Sequence, residues 1–575
     1  MDKKEISEIL KEISTFLELK DENPFKIRAY ENAARALEAS NISLTRDTKV
    51  KDLESIKGIG KKIAAKIKEL IDTGNLKLYQ ELKESIPEGL VDMLKIPGLG
   101  PKKIKYLYEN LGIESISELE LACNENKLID LPNFSQKTQQ NILKGISIVK
   151  QYRGKYLYSD FLDQAEEIFS QIEKNKYVIR ASIAGSMRRK KEIVRDIDIV
   201  ASTNDPTKLM EFFTSLNQAE KIVARGDTKS SIMLESGIQV DIRAVEDNQY
   251  PYALHHFTGS KEHNTALRSM AKKTGMKINE YGIFKDSKLI KCKNEKELFN
   301  LFSMEYIPPE LRENFGEIEA AKKGSLPKLI EAEDIKGIFH IHTKFSDGSM
   351  NIRQVCKKLQ DMGMQYAGIS DHSKTAAYAN GVKDSEIDDY LREMESAEQD
   401  FKGFRIFKGI EADILADGSL DYSSRVLERF DFVIAAIHSS FNMPEQEMTE
   451  RIIRAIENKY TTILAHPSGR ILLARDPYKV NITKIINAAA KNSVDLELNA
   501  SPHRLDLDWR MLKYAKEKNV KIFINPDAHH LENLSDYRYG VYIARKGWLE
   551  KKDVINTMDS KQIGNYLKKK KREDK

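Results

Sequence analysis

Six of the chain's 11 histidines stand at the ends of short apolar runs in its last third, among aspartates and glutamates. The runs are residues 335–342, 366–372, 405–413, 430–438, 461–466, 494–499 and 521–529, each bounded by turn or loop residues and followed by a helix-like stretch. Their ends supply His340, His342, His372, Glu411, His438, His466, Asp527 and His529, while the sixth run ends in Asn499. Asp347, just after the first run, is a ninth candidate. A lone histidine is more often a satisfied core residue than a ligand; a set recurring at equivalent points is not explained that way. Imidazole mixed with carboxylate selects Zn, Mn or Fe over an all-oxygen Mg or Ca site, and nine ligands suffice for two or three ions sharing carboxylates. Water held between such ions is deprotonated near neutral pH, and the ions clamp phosphate oxygens for an in-line displacement. Asp413 and Asp417, near the end of the third run, read as outer partners or solvated side chains.

A second constellation lies near the middle of the chain. Ala184-Gly185-Ser186-Met187-Arg188-Arg189 precedes Asp196-Ile-Asp198-Ile-Val. In a strand, residues two apart share a face, so Asp196 and Asp198 project together while Ile197 and Ile199 pack behind them. A further strand-like run, Ile238 to Arg243, adds Asp241. Three carboxylates on adjacent strands make a hard-oxygen site for two Mg or Mn ions, as nucleotidyl transfer requires, with Ser186 and Arg189 available to hold a triphosphate. Nearer the start, Gly58-Ile-Gly60-Lys61-Lys62 and Gly98-Leu-Gly100-Pro-Lys102-Lys103 each read as a glycine hairpin leading into a basic helix. Close backbone approach, free N–H groups and lysines hold a phosphate without reading bases. A third copy, Leu131-Pro-Asn133-Phe-Ser135, lacks both glycines and reads as structural.

The elements that must position these residues follow from periodicity. Apolar runs alternating with helical stretches predict a parallel βα arrangement with its chemistry at the strand C-termini. Ile6, Ile9, Leu10, Ile13, Phe16 and Leu17 fall on one stripe, so the chain opens as an amphipathic helix. Charged residues directly after Met1 argue against a secretory signal, and no run reaches transmembrane length. Cys123, Cys292 and Cys356 have no metal spacing and suit a reducing cytoplasm. A length of 575 residues implies several domains. The net charge of +5 is too modest to announce nucleic acid by itself, so the local motifs carry that reading.

His340-x-His342, Asp347, Asp371-His372, Glu411, His438, His466 and Asp527-x-His529 resemble the PHP (polymerase and histidinol phosphatase) domain over roughly residues 335–560. That resemblance implies a trinuclear phosphoesterase site. Gly185-Ser186 with Asp196-x-Asp198 resembles the nucleotidyltransferase superfamily, and Phe257-Thr-Gly259-Ser260 with Asn264 and Arg268 narrows this to the X family of DNA polymerases. The family then implies that Asp196, Asp198 and Asp241 bind the catalytic metals and that Ser186 and Arg189 contact the incoming triphosphate. Phe257 and Gly259 would line the sugar pocket, Asn264 would reach the minor-groove edge of the incoming base, and Arg268 the template side. His256 stands where polymerase beta has tyrosine. Residues 226–230 and 279–282 also resemble family segments and receive no catalytic role. The basic glycine hairpins resemble helix-hairpin-helix DNA-binding units. Asn23 to Tyr30 resembles the start of the family's lyase domain and puts Lys66 at its Schiff-base lysine, a solvated phosphate-binding lysine being the alternative.

The expected architecture is multidomain: an all-α helix-hairpin-helix region (a lyase-like part at 1–85, a second unit at 86–155), an α+β nucleotidyltransferase palm (156–245) and a small α+β nucleotide-contacting subdomain (246–318). A linker (319–334) leads to an α/β PHP barrel of seven distorted βα strands (335–565) and a frayed, solvated basic tail (566–575). The expected function is a cytoplasmic, monomeric X family DNA polymerase filling short gaps in base excision repair or end joining. It would take gapped or nicked DNA with a primer 3'-hydroxyl and deoxynucleoside triphosphates. Mg or Mn would serve the palm, and two or three Mn or Zn ions a 3'–5' exonuclease or abasic-site endonuclease in the barrel. The rival expectations are a barrel that hydrolyses pyrophosphate or phosphate monoesters, and an inactive scaffold on a gap-binding protein.

Overall fold

A computed structural model describes residues 1, 3–40, 42, 44–129, 131–132, 134–152 and 154–572. The chain divides into two compact units, Met1–Arg153 and Gly154–Lys575.

The first unit is helical. The stripe seen in sequence forms helix Lys3–Leu19, whose Ile6, Leu10, Ile13 and Leu17 are fully buried against Ala33, Ala34 and Leu37 of helix Pro24–Ala39. Both glycine hairpins lead into helices, Lys61–Thr73 and Pro101–Leu111, with Gly60 and Gly100 at their N-caps. Gly58 and Gly98 take φ of 108° and 81°, a region that suits glycine. Nothing lies within 4 Å of where a side chain would begin on Gly60, Gly98 or Gly100, so the backbone is open to approach there. In the third copy Phe134 is buried and Ser135 caps the following helix, while Asn133 lies outside the described residues.

In the second unit a five-stranded sheet runs Val178–Ile183, Asp196–Thr203, Gln239–Val245, Lys229–Leu234, Ala219–Arg225 in spatial order. Asp196–Thr203 pairs parallel with Gln239–Val245; the other pairs are antiparallel. Ile197, Ile199, Val240 and Ile242 face Phe161, Ile168, Leu209 and Phe213 of the covering helices. Next come helices Tyr250–Thr258 and Lys261–Lys273, a three-stranded antiparallel sheet and helix Glu295–Asn300. Glu295 ties this subdomain to the sheet: its Oε2 accepts from Arg188 Nη2 at 2.6 Å and its Oε1 from the fully buried Arg312 at 2.5 Å. Burial would raise the Glu295 carboxyl, but Arg312 and Arg188 hold it well below its ordinary 4.5. A depressed carboxyl stabilises fully above the unfolded value, and that contribution is lost as pH falls through the folded one. Glu295→Gln leaves the buried Arg312 and the half-buried Arg188 unneutralised, with an expected cost of about 3–5 kcal/mol. Urea unfolding at pH 7 measures that loss, and a variant as stable as wild type would refute the argument.

The last part is a seven-stranded parallel sheet whose spatial order is its chain order: Gly337–Ile341, Tyr366–Ile369, Arg405–Asp413, Phe432–Ala436, Ile463–Leu464, Asp495–Asn499, Ile522–Asn525. The ends meet where His342 N donates to the Ala528 carbonyl at 2.9 Å and Ala528 N to the His340 carbonyl at 3.1 Å, curling the sheet into a barrel. Alternate residues pack outward on helices (Ile406, Ile410, Ala412; Leu496, Leu498) and inward (Phe339, Phe407, Phe432, Phe523). The inward rings leave no room for side chains beside them: a Cβ on Gly368 would lie 2.0 Å from the Phe339 ring, and one on Gly409 2.1 Å from Phe432.

The basic run at the C-terminus differs from its expectation as a frayed tail. It is the end of helix Ser560–Arg572, whose Ile563 and Leu567 pack beneath the inward phenylalanines. Lys570 pairs with buried Asp495 at 2.5 Å, and Lys571 donates to the Glu428 and Phe430 carbonyls. Five successive basic residues looked solvated because sequence does not show that two of them reach the barrel's underside. Residues 573–575 lie outside the described residues, as does the Arg572 side chain.

Candidate active sites

In the sheet site, the parallel register sets Asp198 directly beside Asp241, with Asp196 two residues before Asp198 on the same face. The three carboxylates are half-buried. Burial, then Asp196 and Asp241, raise Asp198 to about 7; burial and Asp241 also raise Asp196. Mutually repelling carboxylates aimed at one point are the donor set a divalent ion neutralises. Lys229, a residue given no role from sequence, lies 3.2 Å from Asp241 Oδ2, and Gln239 donates to Asp241 Oδ1 at 2.7 Å.

Gly185, at φ 57°, opens the turn behind them: a Cβ there would sit 2.0 Å from Asp198 Oδ2. A cavity of about 560 Å³ brings together Gly185, Ser186, Arg189, Asp196, Asp198, His256, Phe257, Gly259, Asn264 and Arg268, so all seven nucleotide-contact candidates share it with two of the carboxylates. Arg189 Nε donates to Glu313 at 3.0 Å and its Nη1 to the Thr258 carbonyl. Asn264 donates to the His256 carbonyl and Arg268 contacts His256 Nδ1, both at 2.8 Å, so His256 organises that wall.

In the barrel, the nine predicted side chains converge at the C-terminal ends of the strands. Three groups have ligand atoms lying within 4.8 Å of one another: His342, Asp347, His372 and His529; His340, His342 and Asp527; and His372, Glu411 and His438. His466 completes the set with Nε2 3.2 Å from Glu411 Oε1. Glu411 is the hub, with Oε1 3.1 Å from His340 and 3.4 Å from His438, and Oε2 2.8 Å from His372. Strand Gly337–Ile341 shifts register between Ile338 and Ile341, and His340 has φ 58°; the extra residue breaks strict alternation and re-aims the histidine. His466 and Asp527 also have positive φ, 27° and 53°, so three candidate ligands sit in a sparsely populated backbone region.

Both ring nitrogens of His342, Glu411 Oε2 and His466 Nδ1 are buried with no hydrogen bond of acceptable geometry. Orphaned buried donors and acceptors are costly, and metal ions satisfy them. Burial and the neighbouring His529 and His372 take His342 down to about 3; burial would also lower His438, but Glu411 and Asp413 raise it to about 10. The residues therefore fit divalent metals.

The outer partners are specific. Asp413 Oδ1 lies 2.6 Å from His438 Nδ1 and orients that ring, whereas Asp417 is exposed and caps a turn through Ser419. Asp371 is not among the converging groups: it accepts from Thr343 N, Thr343 Oγ1 and Ser346 Oγ, fixing the loop that carries Asp347. Glu497 was missed from sequence. Fully buried on the sixth strand, it lies 2.6 Å from His340 Nδ1 and accepts from His466 N at 2.9 Å, so it sets two rings at once. A carboxylate between Leu496 and Leu498, two residues before Asn499, was the signal available.

In the helical unit Lys62 and Lys102 are exposed beside their hairpins and Lys66 is half-buried. Among the described residues no helix is long and apolar enough to cross a membrane.

Comparison with known proteins places these parts. Residues 1–76 match the helix-hairpin-helix domain, 90–147 the SAM-like helix-hairpin-helix tandem, 253–313 the DNA polymerase beta thumb and 339–501 the PHP domain. The chain is 40% identical over 572 residues to the DNA polymerase/3'-5' exonuclease PolX of Bacillus subtilis (strain 168), covering 99% of this chain and 100% of that protein. The barrel alone is 28% identical to a probable phosphatase of Thermoanaerobacter sp. (strain X514), covering 40% of this chain and 94% of the relative. A probable phosphatase of Acetivibrio thermocellus is 27% identical over 33% of this chain and 78% of its own length. With a full-length relative at that identity, a polymerase-beta-type thumb and a PHP barrel on one chain, the protein belongs to the X family of DNA polymerases that carry a C-terminal PHP domain.

Proposed function

We propose that the chain is a template-directed DNA polymerase with a 3'–5' exonuclease in its barrel, filling short gaps during base excision repair or end joining in the cytoplasm. The observation that carries this is two separate ligand clusters, three carboxylates in the sheet and nine imidazole and carboxylate groups in the barrel. Asp196, Asp198 and Asp241 would hold Mg or Mn, which when bound would favour ionisation of the primer 3'-hydroxyl and offset charge on the transferred phosphoryl group. Ser186 and Arg189 hold the triphosphate, Phe257 and Gly259 bound the sugar, and Asn264 and Arg268, both in contact with His256, meet the base pair. The hairpins at Gly58, Gly60, Lys62 and at Gly98, Gly100, Lys102 grip the DNA backbone.

In the barrel, His340, His342, Asp347, His372, Glu411, His438, His466, Asp527 and His529 would hold two or three Mn or Zn ions, which when bound would supply water activation and charge neutralisation for hydrolysis of the terminal phosphodiester. Asp413 and Glu497 keep the ligand rings oriented. Lys66 acts as a lyase nucleophile at abasic ends, read by borohydride trapping that disappears in Lys66→Ala. The likeness of the barrel to probable phosphatases favours one second reading, hydrolysis of phosphate monoesters or pyrophosphate.

The deciding assay follows a labelled primer on gapped DNA with Mn, with and without nucleotides. Asp196→Ala/Asp198→Ala is expected to lose extension by about 10³-fold or more and keep degradation; His340→Ala/His342→Ala is expected to do the reverse. If no variant degrades DNA while wild type releases phosphate from a monoester or pyrophosphate, the second reading replaces the first.

A further inference from the structure

Behind the cavity of the sheet site, Arg188, Arg189 and Lys190 are each held by a different part of the chain. Arg188 is bound by Glu295 of the thumb. Lys190 donates to Tyr158 at 2.8 Å and lies 4.3 Å over the ring of Tyr542, which comes from the barrel helix Tyr537–Lys546. Arg189 lines the cavity and pairs with Glu313.

Glu313 has a second cation, and it comes from the barrel. Lys546 closes that same helix, and its side chain is completely buried. Its ammonium donates to Glu313 Oε1, the oxygen that Arg189 Nε also uses, and to the carbonyls of Arg189 at 3.2 Å and Glu310 at 3.5 Å. Removing an ammonium from water is costly unless each proton finds an acceptor. Here all three acceptors belong to the palm and thumb, although the lysine belongs to the barrel.

We propose that Lys546 is a positioning residue for nucleotide addition, acting through Glu313 to hold the Arg189 guanidinium, and its free positive charge, where the incoming triphosphate binds. The inference rests on reading the palm as the nucleotidyl-transfer site. Two cations share the Glu313 carboxylate, and the other carboxylate near Lys546, buried Glu192, faces a cation of its own in Arg510 at 3.9 Å, so one positive charge is left over. Without Lys546, Glu313 and Arg189 neutralise each other, the Arg189 carbonyl loses its donor, and the field offered to the triphosphate falls. Among the described residues no hydrogen bond or ion pair joins Lys546 to Asp196, Asp198 or Asp241, so the effect is expected on nucleotide binding rather than on the chemical step.

The test uses the full chain and steady-state single-nucleotide addition to a primed template. Lys546→Met is expected to raise KM for the nucleotide about tenfold and to change kcat by less than about threefold. In an Arg189→Met background the same change is expected to add almost nothing, because the residue through which it acts is gone. Barrel nuclease activity and thermal melting of the same preparations report the fold. An unchanged KM, an undiminished effect in the Arg189→Met background, or a parallel fall of both activities with the melting temperature overturns the proposal. Lys546→Gln gives the same comparison if Lys546→Met does not fold. A wild-type chain that adds no nucleotide refutes the reading of the palm itself, whereas normal addition with an unmoved KM refutes only the coupling.

Discussion

Glu411→Gln is expected to reduce barrel nuclease activity by more than about 100-fold and to lower the metal content of the purified protein, while nucleotide addition stays within twofold of wild type. The substitution keeps the shape of the side chain and removes its charge. One carboxylate here faces His340, His438 and His466 through Oε1 and His372 through Oε2. An amide offers one oxygen where two are used, and its nitrogen cannot bind a metal. Outer partners of metal ligands already cost about 10–100-fold when removed, so a residue central to the cluster sets a higher floor. Metal analysis alongside the nuclease assay checks both halves. A variant that keeps its metal and degrades DNA normally would remove Glu411 from the ligand set.

Gly185→Ala is the corresponding test of the sheet site. The added methyl would lie 2.0 Å from Asp198 Oδ2, on a residue whose φ of 57° already disfavours any side chain. Either the carboxylate or the turn must move by about an ångström, and displacements of that size cost about 100-fold in rate. Single-turnover addition is therefore expected to fall at least that far, with barrel nuclease unaffected. A full rate in the variant would mean that Asp198 needs no fixed position.

The barrel was legible because each strand announces itself twice, by an apolar run and by what ends it. All seven runs became parallel strands in chain order, and eight of the nine ligand candidates fall in three tight groups, with the ninth against Glu411. The common face of Asp196 and Asp198 was legible from two-residue periodicity, whereas the place of Asp241 beside Asp198 is set by the pairing of two strands. What stayed hidden depends on contacts distant in sequence. Glu497 orients His340 across 157 positions, so its spacing within its own strand gave no hint of a partner. Lys229 received no role until strand pairing set it opposite Arg243, from where its side chain reaches Asp241 two residues away. Lys546 is one more basic residue near a helix end, and only the folded chain shows it reaching Glu313.

The layer of rings beneath the barrel ligands has a consequence for traffic. Phe339, Phe407, Phe432 and Phe523, underpinned by Ile563 and Leu567 of the terminal helix, seal the barrel below the ligands. The metal site is a blind well rather than a tunnel. With its floor closed by these rings, the ligand cluster can take in substrate and let out product only from the side of the strand C-termini.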